Sequence, residues 1–170
     1  GRLAAWQANV PVIVSSIHST GWPIRVEWVN RRLAPMTDAF IAVAEKHGEH
    51  IIQHEGCPRE KVRVIPNGVD VDVFQPQARN TALRAELGLP ADAPVAGLVA
   101  MIREEKNHAR FLRVARAVHN QLPAAHFLLV GDGPQLHEYE QMAHEFGIGD
   151  VVHFVGRRTD IPALLSQLDL

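Results

Sequence analysis

The sequence predicts an α/β fold made of two halves, each built around a parallel sheet. Three observations lead there. The apolar segments are continuous runs, as in "VPVIVSSI" (10–17), "AFIAVA" (39–44) and "APVAGLVAM" (93–101). Such runs suit strands covered on both faces. From residue 93 on, they alternate with amphipathic stretches through short loops, and this β-α-β-α-β-α order calls for parallel strands joined by right-handed crossovers. Between the halves lies "PNGVDVDVFQPQ" (66–77), with two prolines, the Asn67-Gly68 turn and few helix formers. The predicted division is 1–70 for the first half, 71–90 for a connector with a short helix, and 91–170 for the second half.

The elements follow in order. Residues 10–17 and 39–44 are strands, with "RVEWVNRRLA" (25–34) helical between them. "EKHGEHIIQHEG" (45–56) is a short helix that Gly56 can close in a left-handed cap. "KVRVIP" (61–66) is a third strand. "TALRAELGL" (81–89) is a helix ending near Gly88, and 93–101 is the strand after it. Asn107 is placed to cap the next helix with its side chain. On that helix Phe111, Leu112, Ala115, Val118 and Leu122 share one face. "HFLLV" (126–130) is a strand, Gly131-Asp132-Gly133 a turn, and Pro134 suits a first helical turn. Leu136, Tyr139, Ala143 and Phe146 form the next apolar stripe. "VVHFV" (151–155) and "DIPALLSQL" (160–168) complete the series as strand and short helix.

Composition bounds the function. The 170 residues are 46% hydrophobic and 21% charged, ordinary for a globular chain with a sizeable core. The net charge of −2 argues against a general nucleic-acid binder. Cys57 is the single cysteine, so no internal disulfide forms, and a reducing compartment is the natural reading. It reads as an ordinary loop thiol. No apolar run in these residues is long enough to span a membrane, and none of them reads as a signal peptide, so neither is expected. The chain opens at Gly1 inside a helical pattern and stops at "LLSQLDL", where a strand would begin, so it reads as a piece of a longer protein.

In open parallel sheets ligands bind outside the carboxyl ends of the strands. Three loops stand there in the second half: 102–107, 131–133 and 156–160. The first carries Arg103 and Lys106 at the mouth of a helix whose free amides and dipole already attract anions. Together they make an anion site of diphosphate size. One ammonium about 4 Å from a phosphate oxygen contributes up to roughly 4 kcal/mol at an effective dielectric near 20. The other reading pairs both cations with Glu104 and Glu105 on a solvated loop. In "VGDGPQL", Leu136 stands where a dinucleotide fingerprint wants glycine, and Asp132 would repel a pyrophosphate. Both features argue against a nicotinamide dehydrogenase and favour a simple tight turn, while a backbone contact to a nucleotide stays open. In "VGRRTD", Gly156 and Arg157 stand beside the same cleft; either arginine could meet a base or phosphate, and a solvated arginine is the stronger reading for Arg158 than for Arg157.

In the first half, His18 follows the strand 10–17 at its carboxyl end. It can donate to a developing negative charge or a sugar hydroxyl, or serve as a structural hydrogen-bonder. His47, His50 and His54 recur at helical spacing without a fourth-ligand scheme and read as a solvated face, so no metal site is expected.

Taken in order, "IHS" (17–19), "IAVAE" (41–45), "KVRVIPNGVD" (61–70), "KNHARFLRVARAV" (106–118), "HFLLVGDGP" (126–134) and "VVHFVGRRTDIPALLSQLD" (151–169) resemble glycosyltransferase family 4. These are retaining, nucleotide-sugar-dependent transferases of GT-B fold. The resemblance covers nearly the whole chain. It implies two Rossmann-like halves with parallel sheets, both incomplete here, the acceptor side first and the nucleotide-sugar side second. It implies that Arg103 and Lys106 grip the donor diphosphate and that His18, as catalytic residue, lies near the donor sugar and its leaving phosphate. Gly131, Asp132, Gly133, Gly156 and Arg157 would line the nucleotide pocket. The family often carries Gly-Arg where Ala100 and Met101 stand, and serine at Ala44.

The resemblance further implies cell-envelope glycan biosynthesis: a nucleotide-sugar donor as co-substrate, no metal or other cofactor, and a glycan or lipid-linked acceptor. It implies a cytoplasmic location at the inner face of the membrane, with peripheral contact through the first half open. The family's glycine-rich loop and its pair of glutamates fall outside this sequence, so the 170 residues alone are expected to be inactive. Two alternatives stand beside the transferase: a GT-B sugar-nucleotide epimerase, and a non-catalytic nucleotide-sugar-binding or docking module.

Overall fold

The computed structural model describes residues 1–18 and 24–170, and the side chains of all of these except 24–26. The chain divides into two compact units, Gly1–Val69 and Asp70–Leu170.

The first unit runs α1 (Arg2–Gln7), β1 (Val14–Ile17), α2 (Ile24–Leu33), β2 (Ala39–Ala42), α3 (Glu45–His54) and β3 (Val62–Val64). Its three strands are parallel in the order β1-β2-β3. Phe40 and Ala42 of central β2 are fully buried and pack with Ala34, Ile51 and Cys57. Register is pinned where β1 begins: the Ile13 amide donates to Asp38 Oδ2 at 2.7 Å, and the Asp38 amide donates back to the Ile13 carbonyl at 2.8 Å.

The apolar run 10–17 yields less strand than it predicts. Val10, Val12 and Val14 are exposed, and β1 spans only four residues at the edge of the described sheet. Pro11 has no amide to offer a ladder, so the strand starts after it. Hydropathy marked the segment as apolar but could not say that, among the described residues, one face would stay uncovered.

The second unit runs α4 (Thr81–Glu86), β4 (Val95–Val99), α5 (His108–Gln121), β5 (His126–Val130), α6 (Leu136–Glu145), β6 (Val152–Phe154) and α7 (Ile161–Leu165). Its strands are parallel in the order β4-β5-β6, with Val95 opposite His126 and Phe127 opposite Val152. β5 is central, and its run of apolar residues is explained by two covered faces. Phe127 and Leu129 pack with Leu112, Ala115, Tyr139 and Ala143 from α5 and α6. Leu128 and Val130 point the other way, into a core shared with Leu83, Leu87 and Leu164. Alternate residues of a strand serve opposite faces, so two buried faces produce one unbroken apolar run.

Asn80 caps α4, its side chain accepting from the amides of Ala82 (3.0 Å) and Leu83 (3.1 Å). Beyond α7 the backbone reaches β4 along the edge that β5 leaves free. The Asp169 amide donates to the Val95 carbonyl and the Gly97 amide to the Leu170 carbonyl, both at 2.8 Å. The predicted stripe on α5 is covered only in its first half: Leu112 and Ala115 are buried, while Val118 and Leu122 are exposed. Periodicity names a face but not how far the neighbouring layer reaches along it.

Candidate functional site

The carboxyl ends of β4, β5 and β6 open into loops that the backbone laces together. The Ala100 amide donates to the Val130 carbonyl (3.0 Å), Ile102 to Asp132 (3.0 Å) and Gly131 to Gly156 (2.9 Å). Two glycines permit this closeness. Gly131 has φ +147°, and a Cβ there would lie 1.9 Å from the Ala100 carbonyl oxygen. A Cβ on Gly133 would lie 2.0 Å from the carbonyl oxygen of Ile102. No side chain fits at either position without displacing backbone, so the first two loops meet as bare main chain. Asp132 turns inward on its own loop, Oδ1 accepting the Gly133 amide at 2.7 Å.

This arrangement leaves a hollow of about 480 Å³ lined by Met101, Gly131, Asp132, Gly133 and Arg157. All five belong to the second unit and lie where the strand topology directs a ligand. Arg157 is exposed on its wall, and among the described residues it forms no ion pair. Its neighbour Arg158 is tied down. Nε and Nη2 meet both carboxylate oxygens of Asp160 at 2.9 and 2.7 Å, and Nη1 meets Glu86 at 2.7 Å. Those partners raise the Arg158 pKa, and the Arg158 guanidinium holds the Asp160 carboxyl below its usual range. Arg158 is thus not the solvated arginine that the sequence suggested. The two consecutive arginines have separate tasks, Arg157 facing the hollow and Arg158 fastening the loop.

Arg103 and Lys106 stand beside the hollow rather than among its lining residues. A single 3-10 turn, Glu104–Lys106, carries them, closed by the Lys106 amide donating to the Arg103 carbonyl at 3.0 Å. Both side chains are exposed, and among the described residues neither pairs with Glu104 or Glu105. Asn107 does not cap α5 as expected. It takes a left-handed backbone, φ 54°, and its side chain makes no capping bond. Asparagine tolerates that conformation better than most residues, and here it serves as a corner. The Asn107 carbonyl accepts the amides of Arg110 (3.0 Å) and Phe111 (3.3 Å), and its side chain caps neither of the two amides before them.

His18 sits one residue beyond β1, exposed, with Nε2 2.8 Å from Ser16 Oγ. Ser19, the last residue of the "IHS" motif, lies outside the described residues. His47 is not part of a fully solvated face. Its Nδ1 accepts the Val43 amide at 3.4 Å, and Nε2 is buried without a partner. Cys57 is buried, and burial pushes its thiol up to about 11, which makes it a poor nucleophile.

Sequence reasoning missed Met101 as a wall of the hollow, because an exposed methionine carries no chemical signal. It also missed His108, which is 1% exposed at the start of α5 and leaves both ring nitrogens without partners. A further hollow, of about 440 Å³, lies between residues 74–77 and the α7 region and has no titratable side chain in its lining.

Comparison with known proteins fits this geometry. Residues 1–73 match Glycosyltransferase Family 4, and residues 79–170 match Glycosyl transferases group 1. The chain is 32% identical over 178 residues to EpsF of Bacillus subtilis (strain 168), covering 99% of this chain and 46% of that protein. It is 27% identical over 182 residues to the Escherichia coli UDP-Gal:alpha-D-GlcNAc-diphosphoundecaprenol alpha-1,3-galactosyltransferase, covering 100% and 47%. The chain therefore spans about half the length of the curated relatives it matches. Anabaena Alr3699/HepE, in its crystal structure with UDP and glucose, superposes with a TM-score of 0.86 at 23% identity, over 99% of this chain and 47% of that one. That likeness establishes the fold, α/β of the GT-B kind with a parallel Rossmann-like sheet in each unit. The two family matches fall on the two units in the order in which the sequence motifs run, and the chain belongs to the glycosyl transferases group 1 family, with a Glycosyltransferase Family 4 segment ahead of it.

Proposed function

We propose that the protein transfers a sugar from a nucleotide-diphosphate-sugar to an acceptor hydroxyl, with retention at the anomeric carbon. The observation that carries this reading is the hollow at the tips of β4 and β5, flanked by the turn that bears Arg103 and Lys106. As the bond between sugar and diphosphate breaks, negative charge grows on the departing phosphate. Fixed cations and open helix amides stabilise that charge more than they stabilise the ground state. In this reading Arg103 and Lys106 meet the diphosphate, and the loops at 131–133 and Gly156–Arg157 hold the nucleoside. Asp132 is a backbone-engaged acceptor suited to a ribose or base rather than to phosphate.

His18 is assigned to the sugar end of the donor on its match to the family motif, as the group that meets the sugar and its leaving phosphate. No metal is given a step. The Escherichia coli relative acts, by its name, on a diphosphoundecaprenol-linked sugar, which supports a glycan or lipid-linked acceptor here. Among the described residues no helix is long and apolar enough to cross a membrane. Transfer is proposed of the whole protein. The 170 residues alone are expected to bind nucleoside diphosphates weakly and to transfer nothing.

The test is an assay of the intact protein against a panel of nucleotide sugars, with Lys106→Ala alongside. Transfer from one donor is expected, with donor binding and turnover reduced by orders of magnitude in the variant and its fold unchanged. Unaltered kinetics would remove Lys106 from the site, and absence of transfer from every donor would overturn the proposal.

A further inference from the structure

The imidazole of His108 is buried beneath the cationic turn, with the Arg103 backbone at its edge, and among the described residues neither ring nitrogen closes a well-formed hydrogen bond. It is the first residue of α5, 1% exposed, with neither Nδ1 nor Nε2 partnered. Its ring stacks on Tyr139 of α6, centroids 5.6 Å apart and planes inclined by 22°. Tyr139 is itself buried, so the ring is clamped between two helices. Burial pushes the His108 pKa down, and an incompletely formed hydrogen bond to the Arg103 backbone opposes it. The ring is therefore neutral and carries one N–H donor. A buried donor left without a full hydrogen bond is destabilising. A residue whose only task was packing would avoid that cost by being apolar.

The backbone beside the ring belongs to the turn that carries both candidate phosphate ligands. The Arg103 carbonyl already accepts the Lys106 amide at 3.0 Å, and a carbonyl oxygen has a second lone pair to offer. The turn is otherwise lightly held. Asn107 stands in a left-handed conformation with no side-chain cap, and none of the side chains of residues 103–106 forms an ion pair among the described residues. A small inward shift of the turn would satisfy the imidazole N–H.

We propose that His108 is a positioning residue for the turn 103–106: when the diphosphate of a nucleotide sugar seats on Arg103 and Lys106, the imidazole N–H takes the Arg103 carbonyl and holds both cations on the phosphates. This rests on the proposed function and adds to it a buried polar support that acts through the turn without touching the donor.

The test uses the intact protein, titrated calorimetrically with uridine and guanosine diphosphates, with donor and acceptor KM measured alongside. His108→Phe keeps a flat ring against Tyr139 and removes both nitrogens. His108→Met serves as a second apolar filling should Phe unfold, and His108→Gln restores a donor without a ring. Both apolar variants are expected to melt at or above the wild-type temperature, because they remove an unpaired buried group. They are expected to bind the tighter diphosphate about tenfold more weakly, with donor KM raised in step and acceptor KM unchanged. His108→Gln is expected to recover most of the affinity. Wild-type affinity in the apolar variants, or loss of affinity in Gln alone, makes the residue a packing element and overturns the inference. If the wild-type protein binds neither diphosphate, the proposed function falls and carries this inference with it.

Discussion

Gly133 and Ile102 meet as bare backbone: a Cβ at 133 would lie 2.0 Å from the Ile102 carbonyl oxygen, while the Ile102 amide donates to the carbonyl of neighbouring Asp132 at 3.0 Å. The tips of β4 and β5 are therefore fixed by main chain, and the hollow between them inherits that rigidity. Gly133→Ala must push the two loops apart. It is expected to cost about 3 kcal/mol of stability, as overpacking against backbone does, and to abolish nucleotide binding. Urea unfolding and calorimetry check the two effects separately.

The consecutive arginines of the third loop are expected to separate in their effects. Arg157→Ala removes a cation from the wall of the hollow and should weaken donor binding about tenfold, the scale of one charge-assisted hydrogen bond, with the melting temperature unchanged. Arg158→Ala unfastens Asp160 and Glu86 and should lower the melting temperature slightly. Melting curves and donor affinity measured on the same two variants decide the assignment, which fails if both variants lose affinity equally.

Arg84 is 1% exposed and spends its guanidinium on backbone alone, donating to the carbonyls of Pro90, Ala93 and Gln167 at 2.7–3.1 Å. Arg84→Ala leaves those buried acceptors unpaired. It is expected to destabilise the second unit by about 3–5 kcal/mol, summed over the groups left unsatisfied. Arg84→Lys should recover only part of this, since an ammonium cannot reproduce the planar fork. Denaturant midpoints of the two variants give the comparison.

Histidines set the acid limit. His126 Nδ1 and His153 Nε2 lie 2.9 Å apart across β5 and β6, so one ring must accept while the other donates. Burial, then the charges of His119 and Arg84, pull His126 down; burial, then His126, pull His153 down, and burial pulls His108 down as well. Unfolded histidine titrates near 6.5. Below that pH the unfolded chain binds more protons than the folded one, so stability falls as pH falls and is unaffected above it. The urea midpoint should stay level from about pH 8 to 7 and decline from about 6.5 downward, with His153→Gln reducing the decline. A midpoint that holds level to pH 5 would contradict this.

Much of the second unit could be read from the sequence because its elements are regular. The β5 run 126–130 is both the predicted and the observed strand, since two covered helical layers force five apolar or half-buried residues in a row. The first unit was less legible. The run 10–17 looked like β5, but among the described residues no layer covers one side of it, and hydropathy alone does not report which faces are covered. Strand order pointed to the three loops, and the family resemblance implied Gly131, Asp132, Gly133, Gly156 and Arg157 in one pocket. The structure gathers four of these with Met101 in one hollow, while Gly156 stays outside the lining and reaches it through its carbonyl, which accepts the Gly131 amide. Arg103 and Lys106 were expected at the helix mouth and stand on its adjoining turn, next to the hollow and outside its lining.

The sequence by itself determined the alternation of strand and helix, the parallel sheets, and which loops fall at the strand tips, because these follow from periodicity and from turn-forming residues close in the chain. Tertiary structure alone decided that Asn107 is a left-handed corner rather than a cap, that among the described residues Arg158 is fastened by ion pairs while Arg157 forms none, and that His108 is buried without a well-formed hydrogen bond. Those outcomes depend on residues far apart in sequence, Glu86 with Arg158 and Tyr139 with His108. Only packing brings such pairs together, and local pattern contains no record of it.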